Sequence, residues 1–549
     1  MDSSSSSPAL YFHPTHVAGT MIAAGLNPLA KGMAYVGRIR AWKADNDLTE
    51  MSQAAGSNLV FVSNHSYGYP IGWQLLDDYW ELEGDSTQSL AWEDRRYGAY
   101  TERCSQLDGI IHTAGDLLPV WAAGNDRDVV APVPPGDLPR YGPGRRYWDR
   151  PNQTWVLVPN SVPALYNGDA GGFDTMPPDS VSKNLLTVGA IEPMAEGADP
   201  FYAQVSSYSV FGPTDDGRIK PDLVAKGSSV LSSSFDAPGP EGPDYEMISG
   251  TSFAAPAITG SLGLILQHFG NLHGTNHHPW ASTLKVLAIH TADDIAPLGP
   301  DFKTGWGLMN TERAVRLASS NALFGSRSHL KECALPQGGS IEFPLWVTNG
   351  AALLKATISW TDPAHTAMPE SLDLTNSALV NDIDLRIVRP DGTTNLVWIL
   401  NPDLINKDPA VRAAAATYGD NYRDNVEQTI PIANPAPGLY RLLVTHKATL
   451  RDRLGNAIPF QHVSIAASGN TPLPKPELRL EILDLGSGQI GLSWDAVVGQ
   501  RYRVQYKDDV AGTTWTDVAG DIIASKPRVA ADLNISGAAQ RFFRVVEVE

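Results

Sequence analysis

Over roughly the first 320 residues, short unbroken apolar runs alternate with longer stretches whose apolar residues recur at helical spacing. Residues 59–63 (LVFVS), 117–123 (LLPVWAA) and 185–191 (LLTVGAI) are three such runs. They are apolar at successive rather than alternate positions, which predicts strands covered on both faces, the habit of a parallel sheet. Between and after them, residues 95–113, 252–268 and 284–293 predict helices. Strands alternating with helices predict an α/β domain with a mostly parallel sheet and helices on both faces. One piece, from about residue 126 to 180, is rich in Pro, Gly, Asn and Asp and carries neither period. It reads as a long irregular insert.

From about residue 323 the pattern changes. Segments 341–347, 354–359, 383–388 and 440–445 are β-type and separated by turns, and only a short helix near 408–418 interrupts them. This predicts an antiparallel sandwich, jelly-roll-like, over 323–470. Thr471-Pro472-Leu473-Pro474-Lys475-Pro476 reads as a stiff linker. Residues 477–549 carry short alternating strands at 489–494, 502–506 and 541–546, and resemble a small fibronectin type III sandwich. The expected architecture is therefore an α/β domain over 1–322 followed by two all-β sandwich domains, with no internal repeat.

Composition narrows the partners. In 549 residues, 42% are hydrophobic and 18% charged, which suits folded domains. The net charge of −19 repels phosphate backbones, so no nucleic-acid partner is expected. No apolar run is long enough for a membrane span. Cys104 and Cys333 are far apart and form neither a disulfide framework nor a metal motif, so two free buried thiols are expected. Met1 and Asp2 are followed by serines to Ser7, without a basic or an apolar region, so this start is not a signal peptide.

Three strings carry candidate chemistry. They are His13-Pro14-Thr15-His16-Val17-Ala18-Gly19-Thr20, Ala122-Ala123-Gly124-Asn125 and Ser249-Gly250-Thr251-Ser252-Phe253-Ala254-Ala255-Pro256. A serine hydroxyl is a weak nucleophile until a base takes its proton. Ser252 opens a predicted helix, where free backbone N–H groups and the helix dipole favour developing negative charge; its plain alternative is a helix N-cap. A neutral imidazole in the first string can serve as the base. Asn125, at the end of a strand, is either an amide donor or a turn residue.

Together and in this order the strings resemble the subtilisin-like serine proteases. The resemblance implies that Ser252 is the nucleophile, His13 the general base and His16 structural, and that Asn125 is the oxyanion donor. It places substrate against Ser66, Tyr67, Gly68, Ala123 and Gly124. Pro14 stands where the family carries glycine, and a proline suits the first turn of a helix. Residues 211–222 and 305–310 extend the likeness to about residue 322. The family's aspartate ends an apolar strand some tens of residues before the histidine. Here twelve residues precede His13, and Asp2, the only carboxylate among them, has no such strand and is not assigned. The expectation is that the sequence begins at an internal methionine of a longer, active protease. The resemblance further implies protein or peptide substrates, an extracellular location and no cofactor for catalysis. The β-domain resembles that of large bacterial subtilisins. Its clustered oxygens in 379–385 and 424–427 read either as ligands of a structural calcium ion or as turn and strand-edge groups. Against the enzyme stands a non-catalytic protein that keeps the cleft and uses its β-domains to hold a surface or glycan.

Overall fold

The runs at 117–123 and 185–191 lie side by side at the centre of the first domain. The strand expected at 59–63 falls at Val62–His65, with Leu59 outside the described residues. The computed structural model describes residues 12–56, 60–68, 71–82, 93–133, 144–149, 152–235, 244–274, 277–324, 329–348, 350–351, 353–369, 373–400, 407–470, 478–496, 501–518, 520–524, 528–535 and 540–548. Helices α1 (Phe12–Ile22) and α2 (Asp47–Gly56) precede strand β1 (Val62–His65). Strands β2 (Trp73–Leu76) and β3 (Tyr79–Leu82) and helix α3 (Glu102–Ala114) lead to β4 (Leu118–Ala122). Strands β5 (Gly144–Asp149) and β6 (Thr154–Leu157) come before β7 (Leu186–Ile191) and β8 (Leu223–Lys226). The hairpin β9 (Val230–Ser233) and β10 (Tyr245–Ile248) then leads to α4 (Thr251–His273), α5 (Ala281–Thr291) and α6 (Thr311–Phe324).

Strands β1, β4, β7 and β8 form one parallel sheet in that order. Pleating sends alternate residues to opposite faces. Leu118, Val120, Ala122, Leu186, Val188 and Ala190 pack on Ala254, Ala255, Ile258, Leu262 and Ile265 of α4. Trp121 points the other way, onto Leu107 and Ile111 of α3 and Met51 of α2. The sheet is thus covered on both faces, as the fully buried strands β4 and β7 require.

Two further expectations are corrected. The piece from 126 to 180 is not irregular throughout: β5 and β6 pair with each other, and β5 also pairs with β3, in a sheet ordered β2-β3-β5-β6. Its core is Trp73, Leu82, Ala131 and Val158. These strands are short and half polar, and only β5 reaches a distant partner, β3, so no long apolar run announced them. The helix predicted from residue 95 starts only at Glu102. Before it, Asp94 accepts from the backbone N–H of Arg96 (3.1 Å) and Gly72 (2.9 Å), and Gly98 sits at a φ of 68°. That local alternative holds the chain out of the helix.

After α6 the chain builds two antiparallel sheets from strands β11 (Leu330–Pro336), β12 (Ile341–Val347), β13 (Leu353–Ser359), β14 (Ile383–Val388), β15 (Val426–Gln428), β16 (Gly438–His446) and β17 (Phe460–Ser468). One sheet runs β11-β17-β13-β15 and the other contains β12-β16-β14. Alternate residues of both meet in one core: Phe343, Leu345 and Val347; Leu354, Ala356 and Ile358; Ile383, Leu385 and Ile387; Val463, Ile465 and Ala467. The short helix expected near 408–418 is one turn, Pro409–Arg412. The outer face of the first sheet meets α5, all of whose residues are buried. There Ser464 Oγ lies 2.7 Å from Ser282 Oγ and 2.8 Å from Thr283 Oγ1. Both cysteines are free; Cys104 is buried, but Cys333, on edge strand β11, is only partly so.

Residues Met1–Pro472 and Leu473–Glu549 are separate compact units. The second contains antiparallel strands around Leu492, Trp494, Tyr502 and Val504. The expected linker, 471–476, lies outside the described residues. Among the described residues, no helix is long and apolar enough to cross a membrane.

Candidate active site

The first turn of a helix has backbone N–H groups without carbonyl partners. At the start of α4 the N-cap is Gly250, which has no side chain to supply an acceptor. Asn125, just beyond β4, supplies it. Its Oδ1 accepts from the Thr251 N–H at 2.8 Å and from Thr251 Oγ1 at 2.9 Å. Because a backbone N–H can only donate, this atom is the amide oxygen, and Nδ2 must face the other way. The Gly124 N–H donates to Thr251 Oγ1 at 3.2 Å, binding the strand end to the helix start a second time. Ala123 is fully buried, and its N–H donates to Val188 O at 2.9 Å.

Ser252 is the next residue of α4. Pro256, four residues on, has no N–H, so the carbonyl of Ser252 lacks its usual intrahelical donor. Ser66 Oγ takes that place at 2.8 Å. In return Ser252 Oγ donates to Ser66 O at 3.4 Å. The proline of the serine string thus frees the group that ties the serine to the strand end at Ser66, Tyr67 and Gly68.

Helix α1 brings both histidines to α4, and Pro14 is accommodated in its first turn. His16 is fully buried, with Nε2 between the carbonyls of Val230 (3.0 Å) and Glu246 (3.1 Å) and its ring 4.4 Å from that of Phe253. It pins α1 to the β9–β10 hairpin. Gly19 permits the close approach: a side-chain carbon there would lie 2.4 Å from Ser232 Oγ. His13 is half-buried, with its ring centroid 5.5 Å from that of Phe253, the neighbour of Ser252. Burial lowers its pKa from the ordinary 6.5, so the neutral, proton-accepting form prevails at neutral pH. Among the described residues, no carboxylate contacts His13; Asp2 lies outside them.

Behind Ser66 runs a buried polar chain that sequence reading missed. Tyr67 Oη donates to Asp47 Oδ2 at 3.0 Å, so it accepts from His65 Nδ1 at 2.7 Å, which leaves His65 Nε2 to accept from Ser63 Oγ at 2.8 Å. His65 is therefore neutral. Burial pushes its pKa down to about 4, and its ring stacks on Trp121 at 4.4 Å. Arg103 closes the chain by pairing with both Asp47 and Asp179. Burial alone would raise the Asp47 pKa, but the hydrogen bond and charge of Arg103 outweigh it and hold the carboxyl low. Asp47, Arg103 and Asp179 are far apart in sequence and belong to no motif, so no local signal announced them.

The remaining strings make mostly buried contacts. In 211–222, Asp216 pairs with Arg218, and Asp222 takes Lys220 (2.5 Å) and Lys285 (3.0 Å). In 305–310, the Trp306 N–H donates to Asp222 O at 2.9 Å. In the β-domain, Asp424 accepts from the Ile219 N–H (2.8 Å) and Asn425 donates to Asn184 Oδ1 (3.0 Å). Glu427 accepts from the Leu385 N–H (2.5 Å), and Asp382 and Asp384 face Lys447.

Residues 2–307 match the sequence model of the subtilase family. A serine protease/ABC transporter B family protein, tagA, of Dictyostelium discoideum is 26% identical over 205 residues, 33% of this chain and 11% of that protein. The autotransporter lipoprotein NalP of Neisseria meningitidis is 40% identical over 70 residues, 12% of this chain and 6% of its own length. Subtilisin-like protease SBT2.2 of Arabidopsis thaliana is 31% identical over 124 residues, 20% of this chain and 14% of that protein. The chain thus spans a small part of these relatives. Among solved structures, a serine protease of Aeromonas sobria aligns over 84% of this chain and 81% of its own, with 16% identity and a TM-score of 0.34.

Proposed function

The chain belongs to the subtilase family, and from that premise we propose that it acts as an extracellular serine endopeptidase on protein or peptide substrates. Ser252 is the nucleophile, His13 the general base and acid, and Asn125 the oxyanion donor. The observation that carries the reading is the double capping of the Thr251 N–H and hydroxyl by Asn125 Oδ1. That capping turns Nδ2 away from Thr251 and toward Gly250, where a side-chain carbon would lie 3.5 Å from it. In the reaction, the Ser252 hydroxyl turns from Ser66 O to His13 and gives up its proton as Oγ attacks the substrate carbonyl. The carbonyl oxygen becomes an oxyanion, held by Asn125 Nδ2 and the Ser252 N–H. His13 then protonates the leaving amine, and water cleaves the acyl-enzyme by the same proton route. Exposed Gly68 and half-buried Tyr67 offer the substrate their edge of the cleft. Ser66 and Ala123 are buried, and Gly124 commits its N–H to Thr251 and its carbonyl to Val210, so these three back the cleft instead.

Two outcomes follow. Asn125→Ala lowers kcat by about 10²–10³, the loss seen when one oxyanion donor is removed from a subtilisin, with little change in KM. An unchanged kcat in steady-state assays would remove Asn125 from the mechanism. The second concerns pH. His13 must be neutral to accept a proton, and its folded-state pKa lies below the ordinary 6.5. Activity therefore persists as pH falls past 6.5 and is lost only as pH drops through the lowered value. The acid limb of a kcat/KM profile tests this; a limb centred at pH 7 or above would contradict it.

A second reading, a non-catalytic protein that keeps the cleft for binding, is favoured by the Ser252 hydroxyl facing Ser66 O rather than an imidazole. A serine-directed fluorophosphonate separates the two. The enzyme is labelled at Ser252, and the binding protein is not labelled.

A further inference from the structure

Away from the serine, five carboxylates crowd where the peptidase domain meets the sandwich: Glu93, Asp169, Asp174, Asp215 and Asp373. Oxygens of Glu93, Asp174 and Asp373 all lie within 4.8 Å of one another. Among the described residues, the side-chain cations within ion-pair distance of this group are Lys407 and Arg412. Lys407 Nζ lies 2.9 Å from Glu93, 3.0 Å from Asp169 and 2.9 Å from Asp373, and Arg412 lies 3.3 Å from Asp169. Two positive charges against five negative ones leave the group short of cation.

The shortage has a location. Asp174 is 2% exposed, and its Oδ1 is buried without a hydrogen-bond partner; Oδ1 of Asp215 is in the same condition. The two orphan oxygens share one space. A carbon placed at the missing side-chain position of Gly98 would lie 2.3 Å from Asp215 Oδ1 and 2.8 Å from Asp174 Oδ1. Burying an unpaired carboxylate oxygen is costly unless a proton or a metal ion supplies the positive partner. Burial, and then the neighbouring carboxylates, raise the pKa of both Asp174 and Asp215 well above the ordinary value. Calcium accepts six to eight oxygens in irregular geometry, whereas magnesium requires a near-ideal octahedron and sheds its water reluctantly. Carboxylates drawn from four separate segments suit the former.

We propose that Asp174, Asp215, Glu93 and Asp373 form a calcium site that binds the sandwich to the peptidase domain. The site is distinct from the strings in 379–385 and 424–427 and does not depend on the nucleophile. It lies three residues from Pro177, whose ring carbons pack within 3.3 Å of the side-chain position of Gly124, so calcium there also steadies one wall of the cleft.

The test uses the full chain. Calcium binding is counted by titration calorimetry, and Tm is read in EDTA, calcium and magnesium. At a hundredfold excess over its Kd, calcium raises the Tm of the wild type by about 2–3 °C, and magnesium has a smaller effect. Asp174→Asn, which keeps the shape and removes the charge, binds one calcium ion fewer per chain and loses that rise. Lys407→Gln removes the ammonium that competes for the same oxygens, and binds calcium at least tenfold more tightly. No calcium binding by the wild type, an unchanged calcium count in Asp174→Asn, or weaker binding in Lys407→Gln would each overturn the proposal.

Discussion

Ser252→Ala is expected to abolish fluorophosphonate labelling and to lower peptidase kcat by about 10². Removing the nucleophile from a complete subtilisin triad costs about 2 × 10⁶, but triad losses are not additive, and losing the aspartate alone already costs about 3 × 10⁴. Among the described residues no carboxylate contacts His13. Ser252 is the one hydroxyl that opens α4 beside both Asn125 and the α1 helix that carries His13. The Thr251 hydroxyl is already committed, donating to Asn125 Oδ1 and accepting from the Gly124 N–H. Ser66 Oγ is committed to the Ser252 carbonyl. Neither can stand in as the nucleophile. The fold should not notice the change. The substitution deletes a single oxygen whose one hydrogen bond among the described residues is the 3.4 Å contact to Ser66 O, while the 2.8 Å bond from Ser66 Oγ to the backbone remains. An unchanged Tm with no label would assign the loss to chemistry; retained labelling would move the nucleophile elsewhere.

The serine string was legible because its physics is local: a glycine with no capping atom, a serine at N2 and a proline that frees one carbonyl all lie within eight residues. The α/β architecture was legible for the same reason, since strands covered on both faces must be apolar at every position, as 118–122 and 186–191 are. The four-stranded sheet built from residues 73–82 and 144–157 was not. Its strands carry Trp, Tyr and Arg rather than a continuous apolar run, and its two hairpins join only through β3 and β5, about 60 residues apart. The chain from His65 through Tyr67 and Asp47 to Arg103 stayed hidden likewise. A buried aspartate looks like any other until the arginine that holds it, 56 residues away, is folded against it. The strings in 379–385 and 424–427 show the converse: their residues stood out, but that Asp424 and Asn425 reach Ile219 and Asn184 while Asp382 and Asp384 face Lys447 took the folded chain to see.

Those strings frame the largest expected effect on stability. Lys183 and Asp362 form a salt bridge of 2.5 Å in which neither side chain is exposed. One comes from the segment before β7 and the other from the segment after β13, so the pair joins the two domains. Such a pair is sustained only if every hydrogen-bonding group is met. Here Lys183 Nζ donates to Asp362 Oδ2, Pro363 O (2.7 Å) and Ala378 O (2.8 Å), using all three protons. Asp362 also accepts from the backbone N–H of Val380 (2.8 Å) and Asn381 (2.9 Å). Asp362→Ala would strand an ammonium and two backbone donors in a dry interface. Breaking a buried pair from one side costs about 3–5 kcal/mol, which for a unit of this size is a Tm lower by about 3–5 °C. The double variant Lys183→Met, Asp362→Ala removes the stranded charge and should recover part of that loss, a coupling that a double-mutant cycle reads directly. A double variant as unstable as the sum of its parts would show that the two residues act independently.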